Sequence, residues 1–501
     1  MQGSTYKSAN KIKLILTIQP LGFNGLRFTV ALMKRHACAA CSLVIFGAAG
    51  ALAVLASCSV GPAYRRPDIP IPQNFCESTG MAADSLWPAA DWWRGFGSDR
   101  LNELIAEAER SNDDLAGAIA RVTEADAQAR IAGAALLPSL NAGASATRQR
   151  AAVAGGSARL FNTFNPGLTA AYELDFWGKN RASRNAARAL AASSRFARQT
   201  VALTVVSSVA TTYFQALELR DRIQVAQQNL DNGEHVLHGL KLQQSAGIAT
   251  SLDVAQQETS VALLNAALPP LLRQLRQTVY ALAVLIGKTP ESIDVEAGTL
   301  AALSSPAVVE GLPSALLSRR PDVAQAEQQL IAANADIAVA RAALFPSIQL
   351  TASGGYASAA LSTLVNPASR VYALSAGLTQ PIFHGGALHA QVSFSDARYA
   401  ELLSNYHKTV LTAFSNVEGA LVAARQSAEQ QSRQQDAVAK ARRAYEFAQA
   451  QMSAGTVNIL TVLNTENALF SAQDALVQVR YSHLQALVEL FTALGGGWQQ
   501  G

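Results

Sequence analysis

Charge is scarce in this chain of 501 residues: Asp, Glu, Lys and Arg together make up 15% of it, well below the roughly 25% of an average soluble protein. Apolar residues reach 50%, with alanine dominant, a balance that suits extensive helix packing or a body in contact with membrane. The formal net charge is only +4, and the basic residues form no block beyond Arg65-Arg66 and Arg319-Arg320. Binding of nucleic acid needs a clustered basic surface to neutralise phosphates, so no nucleic-acid partner is expected. Metal-ligating residues are equally thin. His235 and His238 stand three apart on a helical pattern without a third ligand nearby in sequence, which predicts solvated helix histidines rather than a metal site. No nucleophile, metal or phosphate-loop constellation is present either, and Gly495-Gly496-Gly497 reads as a helix stop, so neither catalytic residues nor a catalytic cofactor are expected.

What the chain has instead is one unit written twice. Ser245-Ala246-Gly247-Ile248 runs into Leu252 and Val254, and 208 residues later Ser453-Ala454-Gly455-Thr456 runs into Leu460 and Val462. The same offset pairs Glu258 with Glu466, Leu282 with Leu490, Gly287 with Gly495, and Leu137-Pro138-Ser139-Leu140 with Phe345-Pro346-Ser347-Ile348. An offset of 207 pairs Phe176 and Gly178 with Phe383 and Gly385. A register held over about 150 positions marks an internal duplication. Two halves of about 200 residues each argue for one pseudo-symmetric body rather than two or three unrelated domains.

The first residues read as a targeting segment. From Met33 the chain runs Lys34-Arg35-His36, then an apolar stretch to Val54, then Leu55-Ala56-Ser57-Cys58. A basic start, an apolar middle and a small-residue end make residues 1–57 a signal segment, with Met33 its natural start. The apolar run also approaches the roughly 20 residues of a membrane helix. Leu55-Ala56-Ser57-Cys58 resembles a bacterial lipobox, in which the cysteine becomes the acylated first residue, and Ser59 resembles the outer-membrane sorting pattern. On that likeness Cys58 carries a covalent lipid, Cys38 and Cys41 leave with the signal, and Cys76 remains as a free thiol, so no disulfide framework is expected within one chain.

Gly61 to Pro72 is rich in proline and arginine and reads as an extended tether within an anchor region of residues 58–98. Trp87, Trp92 and Trp93 follow, as an interfacial cluster or as a packed one. Asp99 is placed to cap a helix from about Leu101 to Ala135, and its counterpart runs from after Pro313 to about Ala343; each ends before a proline, Pro138 or Pro346. The period then changes. Leu168, Tyr172, Leu174 and Phe176 alternate with Thr169, Glu173 and Asp175, and Val371 to Ile382 repeats the pattern. With weaker partners over Leu140–Arg150 and Ile348–Ala357, each repeat holds a hairpin whose loop spans Ala151–Phe164 or Ala359–Arg370. Four such strands cannot close a barrel. Two copies would give eight strands and a filled bore, and three would give twelve and a lumen; hairpins on a soluble body would show the same alternation.

After each hairpin comes a very long helical stretch, on the order of 100 Å for residues 179–246 if unbroken, with return segments over 249–287 and 457–494. Val438, Ala441, Tyr445, Ala448 and Met452 form a coiled-coil seam on the second rising stretch, and the second returning one carries two stripes, one through Leu463, Asp474, Tyr481 and Phe491, the other through Leu469, Val479 and Leu490. It can therefore pack on a neighbour at each flank. Pro269-Pro270, absent from the second copy, predicts a kink in the first return. The divisions that follow are a first repeat at 99–287, a linker at 288–312, a second repeat at 313–495 and a tail at 496–501.

The sequence at this point resembles the TolC-like outer-membrane efflux factors, in particular the lipoproteins that serve RND-type pumps. The likeness is carried by Trp92-Trp93 with Phe96-Gly97, Arg319-Arg320-Pro321-Asp322, Ala340-Arg341-Ala342 with Phe345-Pro346-Ser347, Gln380-Pro381-Ile382-Phe383 with Gly385-Gly386, and the two Ala-Gly turns. It implies an α+β membrane protein: a homotrimer whose twelve-stranded outer-membrane β-barrel continues as a long periplasmic α-helical barrel, with the linker at its equator. Such a protein is lipid-anchored in the bacterial outer membrane and reaches into the periplasm. The resemblance makes Ser245, Ala246 and Gly247, with Ser453, Ala454 and Gly455, the tips that meet a periplasmic adaptor, and it places an inner-membrane RND-type pump beyond. Better-known members close the pore with aspartates just past the second glycine turn. Here Thr461 and Asn464 stand at those positions, so a neutral polar constriction is expected. Asp253, the counterpart of Thr461, keeps a carboxylate and is a third gate candidate, but on a helix that the resemblance places further from the axis, where it either caps its own helix or meets the adaptor. The implied activity is passive conduction of small molecules outward; a type I protein-secretion exit is the alternative among channels, and a non-conducting periplasmic spacer the alternative outside them.

Overall fold

A computed structural model describes residues 60–72, 75–76, 88–152, 156–293, 298–306 and 313–498. The signal segment, Cys58 and Trp87 lie outside the described residues.

A 3-10 turn, Trp92–Phe96, leads into α1 (Asp99–Ser111) and α2 (Asp113–Ala134). The cap of α1 is Ser98 rather than Asp99: its hydroxyl accepts from the Leu101 N–H at 3.2 Å, and Asp99 sits in the first turn, where its charge favours the helix dipole. The single helix expected over 101–135 is two. Asn112 adopts an extended conformation between them, accepts from the Leu115 N–H and starts α2 afresh. In the second repeat α5 (Pro313–Arg319) and α6 (Pro321–Ala342) break at Arg320, the equivalent position 208 residues on; Pro321 occupies the first helical position, where its missing N–H costs nothing.

The strands are β1 (Ser139–Ala151), β2 (Arg159–Leu174), β3 (Ser347–Tyr356) and β4 (Arg370–Thr379). The two hairpins join through β2 and β3 into one antiparallel sheet of order β1-β2-β3-β4. The first hairpin loop is shorter than expected, because Arg159–Phe164 pairs with Phe164's register partner Ala146 and the residues beyond it up to Ala151. Register places even-numbered residues opposite even-numbered ones across every pair. One face therefore carries Leu140, Leu168, Tyr172, Ile348, Leu350, Leu374 and Leu378, and the other Asn141, Thr169, Glu173, Gln349, Ser375 and Thr379, as strand alternation demands. β1 and β4 are open edges.

From the sheet's lower end rise α3 (Lys179–Ser245) and α7 (Ala387–Ser453), each of 67 residues, about 100 Å of unbroken helix. They return as α4 (Ser251–Leu285) and α8 (Ile459–Ala493). Asp175 fastens the junction of β2 and α3 by accepting from the Asn180 and Arg181 N–H groups at 2.8 Å each. Trp177 ties the repeats together there, donating to the Pro346 carbonyl at 2.8 Å and stacking on Phe345 at 4.7 Å. Part of α3 is apolar and long enough to cross a membrane, but Val205, Val209, Phe214 and Leu217 of that stretch are buried in the protein's own core. Pro269 and Pro270 do not interrupt α4, which continues through them as one helix. The carbonyls left without a partner belong to Asn265 and Ala266, both exposed, so water can satisfy them.

Trp92 is core, stacked on Phe491 at 4.9 Å, while Phe96 meets Phe214 at 5.0 Å. Both stripes of α8 are buried from Val477 onward apart from Tyr481, which is half-buried. Asp474, a charge in one of them, is met by Arg222 of α3 at 2.7 Å. Residues 60–72 form no helix or strand and lie along α6: Asn334 donates to the Pro62 carbonyl at 2.9 Å, and Arg66 pairs with Glu327 at 2.7 Å.

Candidate functional site: the paired helical turns

Each long helical pair reverses over five residues, 246–250 and 454–458. The bonds that close the two rising helices correspond. The N–H of Gly247 donates to the Gln244 carbonyl at 2.9 Å and that of Ile248 to Gln243 at 2.9 Å; Gly455 donates to Met452 at 2.9 Å and Thr456 to Gln451 at 2.9 Å. Gly247 and Gly455 have φ of +75° and +72°, the left-handed cap that closes a helix C-terminus and that glycine adopts without steric cost. Ser245 and Ser453 donate their hydroxyls to the Leu242 and Ala450 carbonyls, both at 2.7 Å. Serine and glycine thus have a structural task in both copies. A Cβ on either glycine would meet nothing within 4 Å, so the turns stand clear of the body. Ile248 is 77% exposed, Leu252 64% and Leu460 48%, an apolar fringe at the same end.

The helices restart with their cap chemistry exchanged. In the first turn Thr250 and Asp253 form a capping box: the Asp253 carboxylate accepts from the Thr250 N–H at 2.8 Å and its hydroxyl at 2.7 Å, while Thr250 accepts from the Asp253 N–H at 3.2 Å. These bonds hold the Asp253 carboxyl below the usual aspartate range. In the second turn Asn458 is the cap, accepting from the Thr461 N–H at 3.2 Å and its hydroxyl at 3.1 Å. Asp253 and Thr461 are therefore both engaged with their own N-caps. Asn464 is exposed and faces, with its counterpart Gln256, a cavity of about 420 Å³ between α4 and α8 that Leu263, Leu460, Asn467 and Phe470 also line.

One turn deeper the copies diverge further. Glu258 is exposed and pairs with Lys241 at 2.8 Å. Its counterpart Glu466 is 3% exposed and neither carboxylate oxygen has a hydrogen-bond partner; burial pushes its pKa up to about 7. Burial and the nearby Glu466 together push the Tyr445 hydroxyl up to about 12. Sequence reasoning paired Glu258 with Glu466 without seeing this difference. The signal lay on the rising helix: Gln449 stands where the offset would place a second Lys241.

A second duplicated joint also escaped it. Asn112 donates to the Leu285 carbonyl at 2.8 Å, and Arg320 donates to the Ala493 carbonyl at 2.9 Å, each tying the break between short helices to the end of the returning helix. Arg320 also holds Asp322 at 2.6 Å, which gives the Arg319-Arg320-Pro321-Asp322 phrase a structural reason. Gly287 and Gly495 turn the chain there with positive φ, and a Cβ on either would overlap the carbonyl oxygen of Ser111 or Arg319.

Comparison with known proteins agrees with this geometry. The family model for outer membrane efflux proteins matches residues 104–288 and again 312–496, two matches displaced by 208 residues at both ends. The pyoverdine export outer membrane protein OpmQ of Pseudomonas aeruginosa is 43% identical over 441 residues, covering 84% of this chain and 92% of that protein. The cation efflux system protein CusC of Escherichia coli O6:H1 is 34% identical over 477 residues, covering 92% and 99%. The crystal structure of the Campylobacter jejuni CmeC outer membrane channel superposes with a TM-score of 0.83 at 25% identity, over 88% of this chain and 96% of that one. With the family model matched in both repeats and the same paired turns, hairpins and long helices in each, this chain belongs to the outer membrane efflux protein family.

Proposed function

We propose that three copies of this chain close their sheets into one twelve-stranded barrel and serve as the exit duct of a tripartite efflux system. The open four-stranded sheet, apolar on one face and polar on the other, is the observation that carries this reading. An unpaired strand edge in lipid leaves backbone groups unsatisfied at several kcal/mol each, so β1 and β4 require partners. Two copies would give a bore filled by side chains, while twelve strands leave a lumen that the polar face lines. The 67-residue helices α3 and α7 continue that wall away from the membrane, into the periplasm.

The exposed turns at Ser245-Ala246-Gly247 and Ser453-Ala454-Gly455 are the contact surface for a periplasmic adaptor, with an RND-type inner-membrane pump beyond it. A lipid on Cys58 anchors the chain beside its barrel. The duct performs no chemistry: it opens when partners bind the open arrangement better than the closed one. Thr461 and Asn464 supply a neutral polar constriction in the closed state. Relatives named for pyoverdine export and for cation efflux share this scaffold, which fits a duct whose cargo is chosen by its pump.

Single-channel recording in a planar bilayer tests the reading. Discrete conductance steps from a purified trimer are expected; a trimer or monomer that inserts and yields no steps would make the protein a spacer.

A further inference from the structure

The apolar face of the sheet ends in arginine. Leu140 of β1 and Leu378 of β4 begin that face at the end nearest the helices, and eight residues along each strand, on the same face, stand Arg148 and Arg370; Arg150 follows two residues past Arg148. Eight residues of strand cover about 27 Å along the strand and, at a tilt of about 40°, rise about 21 Å along the membrane normal, most of the roughly 25 Å apolar band of an outer-membrane barrel. These arginines therefore sit where hydrocarbon gives way to headgroups on the outer surface. Tyr372, on the same face two residues inward of Arg370, is 86% exposed, and tyrosine at that depth marks the interface.

All three arginines are exposed. The sequence holds no Asp or Glu from Pro138 to Tyr172 or from Pro346 to Thr379, and Glu173, at the other end of β2 and on its other face, pairs with Lys179, so neither hairpin offers the arginines a counter-ion. The cations lie on the two edge strands. In the closed trimer, on which this inference rests, β4 of one copy pairs with β1 of the next, so Arg370 meets Arg148 and Arg150 across each seam.

We propose that each seam binds a phosphorylated lipid of the outer leaflet, its phosphate groups held by Arg148, Arg150 and Arg370 and its acyl chains lying on the apolar rows below them. Guanidinium groups suit this task because their planar donor fork matches phosphate oxygens in pairs, while their aliphatic stems can lie along an apolar surface. The arrangement joins a cation cluster to a hydrocarbon-facing surface, which is the chemistry of a lipid and not of a soluble anion. A ligand that bridges two copies also stabilises their seam by mass action.

Native mass spectrometry of the detergent-purified protein, titrated with bis-phosphorylated lipid A and separately with its dephosphorylated form, tests this. The wild-type trimer is expected to retain up to three phosphorylated molecules. The combined Arg148→Gln, Arg150→Gln and Arg370→Gln variant should bind on the order of 100-fold more weakly, and the dephosphorylated lipid should bind the wild type as weakly as that. Arg159→Gln, on the opposite face, should change nothing, and Arg370→Gln alone, should the triple variant not assemble, should cost about fivefold. Equal retention of both lipid forms, or equal retention by wild-type and variant trimers, overturns the lipid site and leaves the trimer standing. A wild-type mass that is monomeric overturns the trimer reading and the seam together.

Discussion

Replacing Glu466 by glutamine isolates the one carboxyl that the second helical pair buries without a partner. Its pKa stands near 7 against an ordinary 4.5, so the folded pair holds the proton more tightly than the unfolded chain does. Below pH 4.5 both states are protonated and the pair has its full stability. Between pH 4.5 and 7 the unfolded state ionises first and stability falls; above pH 7 it stays reduced, by about 3 kcal/mol at most for a shift of this size. Local opening is the quantity to read, because a trimeric membrane barrel unfolds irreversibly. Hydrogen exchange of the first turns of α8, corrected for intrinsic rates, should be up to about 100-fold faster at pH 8 than at pH 5 in the wild type. In Glu466→Gln it should be nearly independent of pH. Glu258→Gln breaks only an exposed ion pair, its partners 51% and 50% exposed, and should cost at most about 0.5 kcal/mol. Gln449→Lys supplies the cation that the second repeat lacks and should draw the transition down in pH. Equal pH dependence in the wild type and Glu466→Gln would refute the reasoning.

The duplicated joint gives graded outcomes. Arg320→Ala removes the bonds to Ala493 and Asp322 from a side chain only 10% exposed and should cost about 3 kcal/mol, whereas Asn112→Ala removes one cap and one carbonyl contact and should cost about 2 kcal/mol; proteolysis kinetics of the assembled protein would rank them. Gly287→Ala and Gly495→Ala should abolish assembly, since the new methyl overlaps backbone. Gly455→Leu, at a turn with open space around it, should leave assembly intact, cost about 1–2 kcal/mol of backbone strain and weaken adaptor capture; normal capture by this variant would remove the second turn from the proposed contact surface.

The long helical pairs were legible because a left-handed glycine and an N-cap bracket each turn, signals that need no tertiary information. The sheet faces were legible for the same reason, through simple alternation. What escaped depended on contacts distant in sequence. Arg159–Phe164 lacks a clean alternation, yet its backbone becomes strand by pairing with β1, an instance of tertiary context overriding local preference. Apolar spacing runs across Asn112 as though one helix continued, and only the Leu285 carbonyl, 173 residues away, shows why the chain bends there. The interruption expected at Pro269-Pro270 is absent because the carbonyls those prolines strand belong to exposed residues. The tether's path along α6 rests on Asn334 and Glu327, partners that no local pattern names. Glu466 carries a helix former at a helical position, so its burial could be inferred only from the missing lysine opposite it.

The two repeats keep one backbone and divide the chemistry. At the turns the bonds donated by the glycine and by the residue after it correspond, but Thr250 with Asp253 becomes Asn458 with Thr461, and the Lys241–Glu258 pair becomes Gln449 and a buried Glu466. At the joint below, an amide in one copy and a guanidinium in the other reach equivalent carbonyls, those of Leu285 and Ala493. The first pair thus presents a carboxylate, Asp253, in the first turn of its returning helix, and the second presents none there. In the proposed trimer six tips alternate between these kinds around the mouth. A partner that grips the main-chain frame and its apolar fringe would find six equivalent places, whereas one that reads Asp253 would find three. Adaptor stoichiometry measured on the wild type and on Asp253→Asn therefore distinguishes recognition of the fold from recognition of its side chains: six copies bound to each form means the frame is read, and a fall from three copies in the variant means the carboxylate is.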